Sequence, residues 1–486
     1  MADIVDIEDV KVSSGRQSQQ TFHSTGSCPA ACPDGGARSV SQASGGGAPE
    51  PTATPPPVRA GKGLSLWMAA VFIMGEMCGS GMLSLPYALT HMGFMGAPLI
   101  GLIGLGSGYC ACCLARCWVL LENRHPELRG QHTQQPLSDI AFHCLGKPGR
   151  IFAAVCMCIN TFGTCIVYVL IVAQMLQALL GGHIQMHYCI WILVLSVALV
   201  PPTWFGSPKD IRGIGVMALA TTVLAWLLSM GQLAVHFDTL HQNATFTQPG
   251  FLPFFLGIGP ILYSYGGACT LPTIQIDMIN REHFTYSVML GYLGSVLLFA
   301  PLAALGYAAS GDQVEKNILQ TLKLHTPGVE PAAAEIIFIV HLLTAFFVIL
   351  NPFAQQMEAL AGIPHSASLS EFSLRRLVFR TGLMGLLVVL GETIPDFIEL
   401  IQLLGSTTIA TTAFILPSLM YILLARQSDP EGRWTSVPVP LWEKCVLLTM
   451  ALLGIVVGIT STVMTTQEII QYGLDSSCLI NTGRSE

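Results

Sequence analysis

Glu76 stands in an otherwise apolar run, three residues before the triplet Gly79-Ser80-Gly81. If that run crosses a membrane, burying its charge costs about 2.5–3.5 kcal/mol on insertion scales, and such groups are functional by default. The carboxyl can bind and release a proton, or pair with the ammonium group of a solute. The alternative is a hydrogen-bonded structural acid that pins a helix break. Glycine lets a ligand approach the main chain closely, and a half-helix start presents amides and a positive dipole to an anion. Gly79, Ser80 and Gly81 therefore suit a solute carboxylate. A matching set lies at Tyr263-Ser264-Tyr265-Gly266-Gly267, where either tyrosine closes over a solute or simply packs. His341 is the second titratable candidate, with Thr344 three residues on and so on the same helical face. A Glu76–His341 proton relay is one reading; a histidine hydrogen-bonded within a helix bundle is the other.

The elements that must hold these groups follow from composition. The chain has 486 residues, 52% hydrophobic and only 10% charged, against about 25% charged in a soluble domain. A large soluble enzyme is excluded. A net charge of -7 without a basic stripe disfavours nucleic acid as a partner. Eleven apolar stretches near the roughly 20 residues of a transmembrane helix run at 64–89, 96–121, 151–180, 188–205, 211–236, 251–276, 284–309, 334–357, 377–395, 397–424 and 441–463. Barrel strands would alternate in roughly ten-residue pieces, which these do not. The reading is an all-α polytopic membrane protein of about 11 helices.

Charge sets the orientation. With a cytoplasmic N-terminus, only Lys316, Lys323 and Arg484 of the 22 Lys and Arg fall outside, as the positive-inside bias requires. The sequon Asn243-Ala244-Thr245 falls in a loop on the outside, making Asn243 a glycosylation candidate. Residues 1–62 are polar and Gly/Ser/Pro-rich, a composition that cannot bury enough apolar area to fold, and read as a disordered cytosolic tail. Residues 63–465 form the transmembrane domain and 466–486 a short non-cytosolic tail. Most cysteines lie in or beside spans and read as small packing residues; only Cys189 and Cys478 fall outside, where a disulfide is open to them. No metal site is expected. Among nucleotide motifs, a G-x-x-x-x-G-K-[ST] loop is missing, which disfavours an ATP-driven pump.

Two of the eleven runs do not read as plain helices. The first packs Gly75, Gly79, Gly81 and Pro86 around its middle; the sixth carries Gly257-Ile258-Gly259-Pro260, then Gly266-Gly267 and Pro272. Each interior glycine costs about 1 kcal/mol relative to alanine, so unwinding is expected. Small residues also serve ordinary helix packing in membranes. Interrupted helices opening each set of five, however, point to an inverted-repeat transporter with a midplane site.

The same residues carry a resemblance. Gly79-Ser80-Gly81-Met82-Leu83-Ser84-Leu85-Pro86-Tyr87-Ala88 resembles the G-x-G-x-L-x-L-P-x-A signature of the amino acid/auxin permease superfamily. Leu271-Pro272-Thr273-Ile274-Gln275 is similar to that family's sixth helix, and Asp139-Ile140-Ala141 to Gly146, in the loop before the third span, to another of its segments. The pattern lies nearest to the proton-coupled amino acid transporters. The resemblance implies a LeuT-type five-plus-five fold plus one helix, carrying amino acids with protons or sodium. Sodium sites in that fold use carbonyls of the broken first helix and hydroxyls of the eighth. Here Thr344 is the only hydroxyl between Glu335 and Asn351, and Met77 replaces an asparagine common in relatives. Protons are therefore expected over sodium, with no other cofactor. The expectation is secondary active amino acid transport by alternating access, in the plasma membrane or an endolysosomal or vesicular one. A membrane amino acid sensor is the alternative. The sequence points to no protein partner beyond the lipid bilayer.

Overall fold

A computed structural model of the chain describes residues 63–130, 135–204, 211–242, 244–248, 250–326, 328–363, 374–473 and 478. The expected tail over 1–62 and the sequon at Asn243 lie outside the described residues.

The first apolar run forms two helices, α1 (Leu66–Met77) and α2 (Ser80–Thr90), joined at Cys78 and Gly79 and bent by 54°. Ser65 caps α1, its hydroxyl accepting from the Met68 amide at 3.3 Å, as small hydroxyl residues do at helix starts. Then come α3 (Gly96–Arg124) and α4 (Pro136–Leu180). The segment Asp139–Gly146, expected in a loop, is instead the first three turns of α4, which bends at Gly146 (φ 72°). Left-handed backbone of that kind is open to glycine at no steric cost. Next are α5 (Tyr188–Thr203), α6 (Ile211–Val235) and the short α7 (Phe237–His241).

The sixth run is broken as well. It consists of α8 (Pro253–Ser264), a 3-10 turn over Gly266–Cys269, and α9 (Leu271–Ile276). Pro272 sits in the first turn of α9, where its missing N–H costs nothing. Beyond it lie α10 (Phe284–Ser310), α11 (Ile318–His325), α12 (Glu330–Leu360) and α13 (Leu374–Thr393). The tenth run, expected as one plain helix, is α14 (Phe397–Leu404), two π turns over Gly405–Ile409 and Thr411–Ile415, and α15 (Leu416–Arg426). Hydroxyls of Thr407, Thr408, Thr411 and Thr412 each donate to the carbonyl four residues back, a habit that bends helices. Finally α16 (Leu441–Glu468) runs past the expected end of the domain at 465.

Seven of these stretches are each long and apolar enough to cross a bilayer: α3, α4, α6, α10, α12, α14–α15 and α16. The bent α1–α2 pair would make an eighth, while α5 and α8 are shorter apolar helices. The outward faces carry large apolar side chains such as Leu102, Val197, Leu297, Leu452 and Ile459, each at least 60% exposed. Water would penalise so extensive an apolar surface; lipid does not.

The two broken runs lie at the centre. α2 packs on α8, and α1 and α2 both pack on α10. Backbone joins the runs at one end: the Leu64 amide donates to the Asp277 carbonyl at 2.8 Å, and the Ile279 amide to the Leu64 carbonyl at 3.1 Å. Cys189 and Cys478 form a disulfide. Glu392 stands beside them, but oxidised sulfurs offer no thiolate to a metal.

Candidate functional site

The breaks face each other. The Ser80 hydroxyl, in the first turn of α2, lies 3.3 Å from the Tyr263 phenol, in the last turn of α8. The Thr164 hydroxyl on α4 also bonds that phenol. A Cβ built on Gly81 would fall 2.6 Å from the Ser264 hydroxyl and 2.9 Å from its Cα. Glycine is therefore required for α2 to approach α8 so closely. Ser84 donates to the Gly81 carbonyl at 2.8 Å, and Ser264 to the Pro260 carbonyl at 2.9 Å. Both serines thus satisfy backbone oxygens next to the breaks.

Cys78 and Gly79 leave the helical conformation (ψ 53° and -144°), and α2 starts without a side-chain cap. The leading amides of such a helix have no partner four residues back. The Tyr168 hydroxyl on α4 faces this opening, 2.7 Å from where a Gly79 Cβ would lie. Glu76 sits in the last turn of α1 and is half-buried. Its Cγ lies 3.5 Å from the Cβ position of Gly267, in the 3-10 turn of the other break. Among the described residues no hydrogen bond or ion pair to its carboxylate is found. The site thus brings Glu76, Gly79, Ser80, Gly81, Tyr263, Ser264 and Gly267 into one cluster.

Two expected residues point elsewhere. Tyr265 is fully buried towards α3 and α10: its hydroxyl lies 2.6 Å from a Cβ position at Gly104, and its ring stacks on Tyr292. Its surroundings are those of a packing aromatic. Gly266 faces Ile409, in the first π turn of the tenth run. That run enters the site through Gly405 too, where a Cβ would fall 2.0 Å from the Gly259 carbonyl oxygen. π turns cluster at functional sites, and this one seats a third deformed helix against the sixth.

His341, buried on α12, is bonded to a hydroxyl pair on α6. Its Nδ1 lies 3.2 Å from Thr222 Oγ1 and 3.4 Å from Thr221 Oγ1. Thr222 Oγ1 in turn lies 2.9 Å from the Ala218 carbonyl and 3.3 Å from the Cys78 carbonyl, and its one proton serves one of these acceptors at a time. The histidine therefore reaches the break through Thr222 and a main-chain oxygen; no hydrogen bond joins it to Glu76. The Thr344 hydroxyl donates back to the Val340 carbonyl at 2.8 Å, and among the described residues no bond joins it to His341.

Sequence reasoning passed over Tyr168, Thr164, Asn160 and Thr222. Asn160 was visible as an amide amid an apolar run, and Thr221-Thr222 as paired hydroxyls; Tyr168 gave no signal in its run. Glu335 and Glu358, both on α12, are more buried than Glu76. They lie towards helix ends, where partners reach them: Lys323 binds Glu335 at 3.0 Å, and Arg380 binds Glu358 at 2.5 Å.

Comparison with known proteins decides the lineage. The profile of the family described as "Transmembrane amino acid transporter protein" matches residues 62–464. The chain belongs to this family. Among curated family members from Arabidopsis thaliana, "Amino acid transporter AVT1J" is 22% identical over 409 residues, covering 82% of this chain and 89% of its own. "Amino acid transporter AVT1C" is 24% identical over 361 residues, covering 73% of this chain; the chain spans 62% of that relative's length, under two thirds. "Lysine histidine transporter-like 1" is 22% identical over 441 residues, covering 87% and 92%. The solved structure "MhsT in complex with L-phenylalanine" covers 83% of this chain and 99% of its own, with a TM-score of 0.50 and 14% identity. The likeness is one of fold. This family member is an all-α integral membrane protein with the LeuT-type arrangement that the resemblance implied.

Proposed function

We propose that this protein moves amino acids across a membrane by proton-coupled secondary active transport, with alternating access around the breaks in the first and sixth runs. The observation that carries the proposal is the Ser80–Tyr263 contact. It sets the two interruptions against each other and brings the Glu76 side chain to the facing turn at Gly267. Interrupted helices of this kind frame midplane solute sites. The uncapped start of α2 offers amides to the substrate carboxylate. Glu76, half-buried and without a hydrogen-bond partner among the described residues, exchanges the coupling proton. His341 transmits its protonation to the break through Thr222 and the Cys78 carbonyl. That carbonyl lies within reach of the Thr222 hydroxyl, and the eighth run brings the imidazole of His341 against the same hydroxyl; both support protons over sodium.

On this reading the N-terminus is cytoplasmic, residues 1–62 form a cytosolic tail and the Cys189–Cys478 disulfide marks the opposite side. The membrane is the plasma membrane or an endolysosomal or vesicular one. The full-length protein in liposomes should accumulate radiolabelled amino acids uphill when the pH differs across the bilayer. Uptake indifferent to the gradient would remove the proton; absence of saturable uptake would remove transport.

A further inference from the structure

Asn160 lies on α4 and is 7% exposed. Its Nδ2 donates to Cys269 Sγ at 3.5 Å, while its Oδ1 is buried with no hydrogen-bond partner among the described residues. Buried side-chain acceptors are nearly always satisfied, so an exception calls for an explanation. Cys269 closes the 3-10 turn Gly266–Cys269, in which Gly267 faces the Glu76 side chain. Asn160 and Glu76 therefore approach one turn of the sixth run, each with an oxygen for which the described residues supply no donor.

What is missing is a donor brought from outside. An ammonium group carries three N–H donors and no acceptor. A carboxylate that must also take up a proton is a poor sole partner for it, because protonation cancels the attraction. A neutral amide oxygen accepts whichever way Glu76 is protonated. The thiol contact fixes the amide by its nitrogen, which turns the oxygen free.

We infer that Asn160 is a substrate-recognition residue whose Oδ1 accepts from the amino group of the transported amino acid, held in place by Cys269. The inference rests on the transport reading and adds to it the group that selects for an amine.

The test uses full-length protein in detergent and needs no gradient. Binding is measured for L-alanine against L-lactate and for L-phenylalanine against L-3-phenyllactate, each pair differing by amine and hydroxyl. The wild-type chain should prefer at least one amine over its hydroxy acid. Asn160→Leu, close in shape but without an acceptor, should weaken binding of that amine by about tenfold, the order of one hydrogen bond to a charged group. Its hydroxy acid should be affected less. Asn160→Asp restores the oxygen and should keep the amine preference; it carries the test alone where Asn160→Leu does not elute as a monodisperse peak. An unchanged amine affinity in Asn160→Leu, or an equal loss for both members of the pair, would overturn the role of Asn160, as would lost preference in Asn160→Asp. Failure of the wild-type chain to bind either amino acid would overturn the transport reading and this inference with it.

Discussion

The Ser80 hydroxyl and the Tyr263 phenol, 183 residues apart in sequence, meet at 3.3 Å where the first and sixth runs are interrupted. The pair holds α2 against α8 at the proposed substrate. Neutral hydrogen bonds of this kind contribute about 0.5–1.5 kcal/mol. Ser80→Ala and Tyr263→Phe should each slow initial uptake up to about tenfold, and the double variant should be little worse than either single. Additive losses would show that the two hydroxyls act separately.

Close approach makes a second prediction. A Cβ at position 81 meets the Ser264 main chain at 2.9 Å, which no side-chain rotation relieves. Gly81→Ala should lower stability by about 1–3 kcal/mol, as overpacking does, seen as a lower unfolding midpoint in detergent. Gly382→Ala on α13, where nothing lies within 4 Å of the new Cβ, should be neutral or slightly stabilising.

Much of this geometry was legible beforehand. Glycine and proline in the first and sixth runs announced the breaks because both residues weaken helices by local physics. The π turns at Gly405–Ile409 and Thr411–Ile415 were not legible. Their run is apolar, and the approach of the Gly259 carbonyl to Gly405, which adds to the threonine back-bonds there, belongs to the tertiary structure. Tyr265 and Tyr263 could not be told apart either. They lie two residues apart, and the turn that ends α8 sends one towards Ser80 and the other towards Tyr292. Glu76 was found by its charge, whereas Asn160 and Thr222, which are uncharged, drew no attention.

The hydroxyl between His341 and the break gives a third prediction. Thr222→Val removes a hydroxyl shared by the Ala218 and Cys78 carbonyls and the imidazole. Leaving such groups unmet costs about 1–3 kcal/mol. His341→Gln keeps hydrogen bonding but cannot change charge. Both variants should reduce the ratio of uptake with a pH gradient to uptake without one. An unchanged ratio in folded His341→Gln protein would confine the histidine to packing.

The disulfide supplies a fourth. Cys189 and Cys478 are 289 residues apart, and cross-links typically stabilise by about 2–4 kcal/mol. Reduction, or Cys189→Ser, should lower the unfolding midpoint. In sealed cells or vesicles, a membrane-impermeant maleimide should label these sulfurs only after reduction and only from the non-cytosolic side. Labelling from the cytosolic side would invert the proposed topology.

The most direct test is Glu76→Gln, which keeps the shape of the side chain and removes its titration. In proteoliposomes this variant should still take up amino acid down its concentration gradient but lose the stimulation by an imposed pH gradient. Gradient-driven accumulation equal to wild type would contradict the account, because the carboxyl between the two breaks would then carry no proton.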